Sequence, residues 1–147
     1  NEISRLVREQ GVRYGNIAIL ARQNYLLSND LKDYLGSLNI PCQYFKESDG
    51  IQLSENTVKM ISVHSAKGLE FPVVFLLGLN AKLFPQAHTP NSNEEFDEFM
   101  LKESKVLYVG ITRAMMNLYI TCTKNNESPF IQAFKPEKFD KLEYKGN

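Results

Sequence analysis

The sequence predicts an α/β domain, a mostly parallel β-sheet flanked by helices in a single unit. Three observations predict it. Short apolar runs bounded by turn residues alternate with longer stretches of helical period. The chain has 147 residues, enough to bury one core. Its composition, 43% hydrophobic and 23% charged, is that of an ordinary globular protein and sets aside disordered and fibrous classes.

Residues 2–11, EISRLVREQG, read as a short helix closed by Gly11. The run 16–22, NIAILAR, reads as a buried strand between Gly15 and Arg22. In 25–38, YLLSNDLKDYLGSL, the residues Leu27, Leu31, Tyr34, Leu35 and Leu38 share one helical face, while Asn29, Lys32 and Asp33 point away. Pro41 opens a second strand at 42–45, and the polar segment 46–56 is turn-rich. Strands are expected at 57–63 and 72–78, then a surface loop at 80–93 containing Pro85 and Pro90. From 94 to 115 the period is helical again. Phe96, Phe99, Met100, Glu103, Val106, Leu107 and Gly110 fall on or near one face, and the acidic start suits a helix N-terminus. A strand at 117–123 and a short capped helix at 128–134 close the domain, taken as residues 1–134. Residues 135–147 read as a charged, loosely ordered tail.

In parallel sheets ligands sit beyond the carboxyl ends of the strands. Three stretches are expected there: Arg22–Asn24 after the first strand, His64–Gly68 after the third, and the helix carrying Arg113.

Charge is balanced throughout, with eight basic against eight acidic residues through Glu70 and nine against nine after it. No basic arm exists, so bulk electrostatics predicts weak nonspecific binding to nucleic acid and leaves only a local groove open. The two cysteines, Cys42 and Cys122, lie far apart in apolar contexts and in no metal-type pair; they are expected to be buried, reduced thiols of a cytoplasmic protein. No metal site is expected. The longest apolar run, Val73–Leu77, is too short to cross a membrane. A first residue of Asn rather than Met suits a segment of a longer protein.

The segment 62–78, SVHSAKGLEFPVVFLLG, crowds polar chemistry ahead of an apolar strand. It is not a Walker loop, and the strand that follows does not end in a magnesium-binding Asp, so this chain lacks the parts that grip a triphosphate and its metal. It does offer a phosphate-seeking Lys67, a Gly68 that permits close approach, and Glu70, whose carboxylate suits a ribose hydroxyl. The alternative is a plain turn with a surface lysine. In 108–115, YVGITRAM, Arg113 stands among apolar residues, where an unpaired charge is costly and a guanidinium fork suits phosphate. Pairing with Glu103, or a snorkelling side chain, is the alternative. Gly110 suits close helix packing. Arg22 ends a buried strand and is equally a solvated terminus. Ser62, His64 and Ser65 form no hydrolase triad, because no nucleophile elbow is present. Tyr108, Phe71, Phe75 and the pair Met115–Met116 read as core filler.

Three segments resemble the second RecA-like domain of superfamily 1 DNA helicases of the UvrD/PcrA/Rep type. Residues 57–85, TVKMISVHSAKGLEFPVVFLLGLNAKLFP, resemble motif V and its continuation. Residues 103–120, ESKVLYVGITRAMMNLYI, resemble motif VI, and 16–24, NIAILARQN, resemble motif IV more loosely. The resemblance spans most of residues 16–123.

It implies one half of an ATP-driven motor whose ATP and Mg²⁺ are held mainly by a partner N-terminal RecA-like domain. Arg113 corresponds to the motif VI arginine finger, and Arg22 to a motif IV arginine that reads the γ-phosphate. Glu70 corresponds to the ribose-binding glutamate, with Lys67 and Gly68 beside the nucleotide. Ser62 and His64 are implied to touch single-stranded DNA, and Tyr108 to position its helix. The fragment alone is expected to be inactive.

The chain departs from the family pattern in three places. Residues 102–105 read KESK where Glu-Glu-Arg-Arg is frequent, and Ser62 stands where Thr is common. Only residues 39–56 separate the motif IV and motif V regions, so the family's large accessory insert is absent or reduced to a loop. The short form resembles HelD-like relatives, which leaves RNA polymerase as an alternative partner and a non-motor docking role in DNA repair as another reading.

Overall fold

A computed structural model describes residues 2–46 and 50–144. Its five strands are β1 (Ile17–Ala21), β2 (Cys42–Phe45), β3 (Val58–Ser62), β4 (Phe71–Leu77) and β5 (Ala114–Ile120). Three helices accompany them: α1 (Glu2–Gln10), α2 (Asn29–Ser37) and α3 (Asn93–Ile111). The strands form one sheet in the order β2-β3-β1-β4-β5, and every pairing is parallel. The expected α/β architecture is therefore found.

The sheet is buried on both faces, which is why its central strands read as continuous apolar runs rather than alternating ones. Successive residues of β1 serve opposite sides. Ile17, Ile19 and Ala21 pack with α1 and α2 through Ile3, Leu6 and Leu35. Ala18 and Leu20 pack on the α3 side with Ile61, Val74, Leu76 and Leu107. Phe84 and Phe130 from the later loops seal that second layer, their rings edge-to-face at 6.2 Å.

Local chemistry sets the helix ends. The Ser28 and Ser92 hydroxyls accept from Leu31 N (3.4 Å) and Glu95 N (3.1 Å), capping α2 and α3. α3 lies close to the sheet because Gly110 faces it. A Cβ there would meet Leu76 at 3.4 Å and Val63 at 3.5 Å.

Several expectations are corrected. α3 stops at Ile111 rather than continuing to 115, and β5 begins at Ala114 rather than 117. The Thr112 hydroxyl turns back onto the Tyr108 and Val109 carbonyls, and the Phe71 amide donates to Arg113 O at 2.9 Å, so the sheet captures the chain where helical periodicity still continued. Met115 and Met116 consequently lie exposed on an edge strand, and Tyr108 is 67% exposed on the outer face of α3. Phe71 and Phe75 are core, as expected. On α2, Leu35 is buried while Tyr34 faces solvent, as does Leu38 just past the helix end. Cys122 is exposed and Cys42 half-buried, because both sit at sheet margins; burial pushes the Cys42 thiol up in pKa. Among the described residues, no helix is long and apolar enough to cross a membrane.

The loop after β4 is anchored rather than loose. Phe84 and Pro85 are buried, and His88 stacks on Phe99 with ring centroids 4.4 Å apart. The Asn91 amide and side chain both donate to Glu95, which holds that carboxyl below its usual range. The last described residues also pack back. Phe139 stacks on Phe134, and the Tyr144 hydroxyl donates to Glu2 at 3.3 Å. Parts of the 46–56 segment (47–49) and of the tail (145–147) lie outside the described residues.

Candidate functional site

The residues singled out by sequence divide between the two edges of the sheet. At the carboxyl edge, Ala21 of β1 lies in register with Ser62 of β3, and Val63 N donates to Ala21 O at 3.0 Å. Beyond this last rung both chains leave the sheet. Arg22, Gln23, Asn24 and Tyr25 on one side, with Ser62 and His64 on the other, line an open polar cavity of about 470 Å³. His64 is exposed. Ser62 is nearly buried; its hydroxyl donates to Ser65 Oγ (2.9 Å) and accepts from Ser65 N (3.0 Å), so it shapes the turn that presents His64.

Arg22 is fixed from behind. Its Nη2 lies 2.9 Å, and its Nε 3.3 Å, from Glu103 Oε1 on α3. Glu103 is only 4% exposed, and its other oxygen accepts the Gln86 amide at 3.2 Å. The carboxylate expected as an alternative partner for Arg113 therefore belongs to Arg22. A signal for it stood in the sequence, since an acidic residue on the apolar face of α3 requires a cation.

The connection from β3 to β4 spans residues 63–70 and crosses β1 as successive turns. Ala66 N donates to Ser62 O, Lys67 N to His64 O and Leu69 N to Ala66 O. Gly68 sits at φ +85°, a left-handed conformation that favours glycine whatever the space around it. Lys67, Gly68 and Glu70 are all exposed.

At the amino edge, where this connection ends, stands Arg113. It occupies the turn between α3 and β5 rather than the helix body. Its Nε donates to Val109 O (3.0 Å), Nη1 to Leu69 O (3.0 Å) and Nη2 to Thr112 Oγ1 (3.1 Å). The convergence expected at the carboxyl edge thus holds for Arg22 and His64 and not for Arg113. Glu103 and Arg113 are ten residues apart, about 15 Å along α3, so the two guanidinium groups occupy separate sites. Among the described residues, no cluster of three or more His, Cys, Asp or Glu is placed to hold a metal ion.

A wholly parallel sheet with polar side chains gathered at its strand ends, joined by a short crossing segment, defines an α/β domain of the parallel-sheet class. The model of the UvrD-like helicase C-terminal domain matches residues 45–125, more than half of the chain, and the chain belongs to that family. It is similar to the ATP-dependent DNA helicase PcrA of Leuconostoc citreum, with 37% identity over 116 residues, covering 71% of this chain and 14% of that protein. It is similar also to the ATP-dependent DNA helicase PcrA of Staphylococcus aureus Mu50, with 48% identity over 68 residues, covering 46% of this chain and 9% of that protein. The chain therefore spans a small part of the length of these relatives. Among solved structures, the C-terminal domain of a possible DNA helicase from Lactobacillus plantarum WCFS1 aligns over 92% of this chain and 70% of its own, with a TM-score of 0.61 and 19% identity, a likeness of fold.

Proposed function

We propose that this domain is the second RecA-like half of an ATP-dependent DNA translocase, with a nucleotide face at its amino edge and a single-stranded DNA face at its carboxyl edge. One observation carries the reading: residues 62–70 begin in the open polar cavity beside Arg22 and end against Arg113. A single short segment thus touches both candidate ligand sites.

The nucleotide and Mg²⁺ belong mainly to a partner N-terminal lobe; when bound, they supply the phosphoryl group whose transfer releases free energy. The groups present here fit the complementary role. Arg113 uses three of its five N–H donors on neutral acceptors and, among the described residues, forms no ion pair. Its full positive charge remains available for the anion that develops in phosphoryl transfer. Glu70, exposed one residue beyond Leu69, offers a carboxylate to ribose hydroxyls, and Lys67 and Gly68 flank it. Arg113 meets its target only when the two lobes close, so turnover follows lobe motion.

At the other edge, Arg22 and His64, with Ser62 setting the turn, face the strand. Arg22 shares a cavity with His64 and not with Arg113, which supports a place on this face beside the γ-phosphate role that the resemblance implies.

The test uses the full-length protein. Arg113→Ala should lower ATP turnover by about 10³-fold or more, the scale of an arginine finger, while nucleotide affinity stays within a few-fold. Near-normal turnover would sink the assignment. The isolated domain should show no ATPase activity above background.

A further inference from the structure

We infer that Tyr25 is a stacking platform for an unpaired nucleobase, held on the rim of the polar cavity at the carboxyl edge. The inference rests on the reading of that edge as the single-stranded DNA face.

Tyr25 is 61% exposed. Among the described residues its ring stacks on no other ring and its hydroxyl meets no hydrogen-bond partner. Tyr34 and Tyr108 are comparably exposed, but they stand on helices and do not line the cavity. Tyr25 lines it together with Gln23, Asn24, Ser62 and His64. The backbone that carries the ring is fixed on both sides. Before it runs the buried strand β1. Tyr25 itself sits in a single 3-10 turn over Asn24–Leu26, where Leu26 N donates to Gln23 O at 3.1 Å and Leu27 N to Asn24 O at 2.9 Å. After it, Leu27 is buried, and Leu26 packs against the same core layer and against Gly78, where a Cβ would stand 2.6 Å from Leu26 Cδ1. The chain thus anchors two leucines and leaves the aromatic between them and the strand on the outside.

An apolar ring kept in water at a fixed place is unfavourable unless something covers it. The walls around it are polar, so a purely apolar partner does not suit the cavity, whereas a nucleobase offers a π-face to the ring and polar edges to Gln23, Asn24 and His64. Tyrosine has few rotatable bonds, and an anchored backbone leaves little freedom to lose when a base lands on it. Every base has a π-face, so the contact works without regard to sequence. The domain carries no net charge, and stacking gives it a grip that does not depend on phosphate neutralisation.

The experiment measures binding to full-length protein of two fluorescent strands of equal length, an oligothymidylate and a strand of abasic sites, across a salt series. Y25A should weaken oligothymidylate binding by about tenfold. Its salt slope should stay at the wild-type value, because no phosphate contact is lost. Binding of the abasic strand should not change. Y25F, which keeps the π-face, should remain within about twofold of wild type on both strands. Wild-type binding by Y25A, or an equal loss on both strands, would overturn the stacking role while H64A still weakens binding. If H64A and Y25A both bind as wild type does, the DNA-face reading itself falls. Should Y25A lower the melting temperature markedly, Y25L, which keeps apolar bulk without a π-face, takes its place. It should lose affinity for the oligothymidylate alone, and wild-type affinity at wild-type stability counts against stacking.

Discussion

Arg22 and Arg113 are both partly buried arginines at ends of strands, yet they are held in opposite ways. Arg22 is clamped by a buried carboxylate that offsets its charge and fixes its direction. Arg113 is held by carbonyls and a hydroxyl, which fix direction and leave the charge uncompensated. The first arrangement suits a ligand that is always anionic and needs only to be gripped. The second suits a site where negative charge grows during a reaction, because an unpaired guanidinium interacts most strongly where charge develops in a dry cleft. On the proposed reading, the same residue type would serve binding at one edge and catalysis at the other, according to what stands behind it.

The largest expected effect tests this contrast directly. In the full-length protein, R22A should leave ATP turnover at saturating DNA within about tenfold of wild type, whereas R113A removes about 10³-fold or more. Steady-state ATPase at varied DNA concentration reads both: R22A raises the DNA concentration needed for half-stimulation, and R113A lowers the plateau. Equal collapse of the plateau in both variants would erase the distinction between the edges.

A second test moves the element that both arginines share. Gly110→Leu forces a large side chain against Leu76 and Val63 and should cost about 2 kcal/mol of stability, read by chemical denaturation. Because α3 carries Glu103 and borders Arg113, the variant should impair DNA affinity and turnover together. Damage confined to one of them would show that the edges do not depend on a common placement of this helix.

The smallest effect concerns the Arg113 support. Thr112→Val keeps volume but removes the oxygen that accepts from Arg113 Nη2. Turnover should fall about fivefold, the equivalent of about 1 kcal/mol for one hydrogen bond partly replaced by water, with DNA affinity unchanged. No change in turnover would mean that the Val109 and Leu69 carbonyls suffice.

Much of this was legible in the chain. β1, β3 and β4 announced themselves because a sheet covered on both faces demands uninterrupted apolar runs, and Gly110 fell on the helix face that packs closely. The edge occupied by Arg113 was not legible. It turns on whether the sheet captures Ala114–Asn117, and Met115–Met116 continue an apolar helix as readily as they start a strand. Only the pairing of Phe71 with Ala114 decides, and that is a long-range contact. The Arg22–Glu103 pair spans 81 positions and leaves no local trace beyond an acid on an apolar face. Exposure of Tyr108 was also hidden, since the outer face of α3 carries an aromatic where a solvated helix ordinarily places charge.

One feature of the connectivity sets a limit on how this chain tolerates change. Parallel strands are ordinarily joined by a dozen or more residues, but here eight, 63–70, bridge β3 to β4 over an intervening strand. Such a tether is short, and its turns are pinned by the amides of Ala66, Lys67 and Leu69. An added or deleted residue would pull Phe71 out of step with Ala114 or drag Glu70 from its place, whereas the stretch between β4 and α3 has length to absorb one. A change of length is therefore expected to cost more before β4 than in the longer stretch after it, which is pinned at Phe84, Pro85 and the contacts of His88 and Asn91.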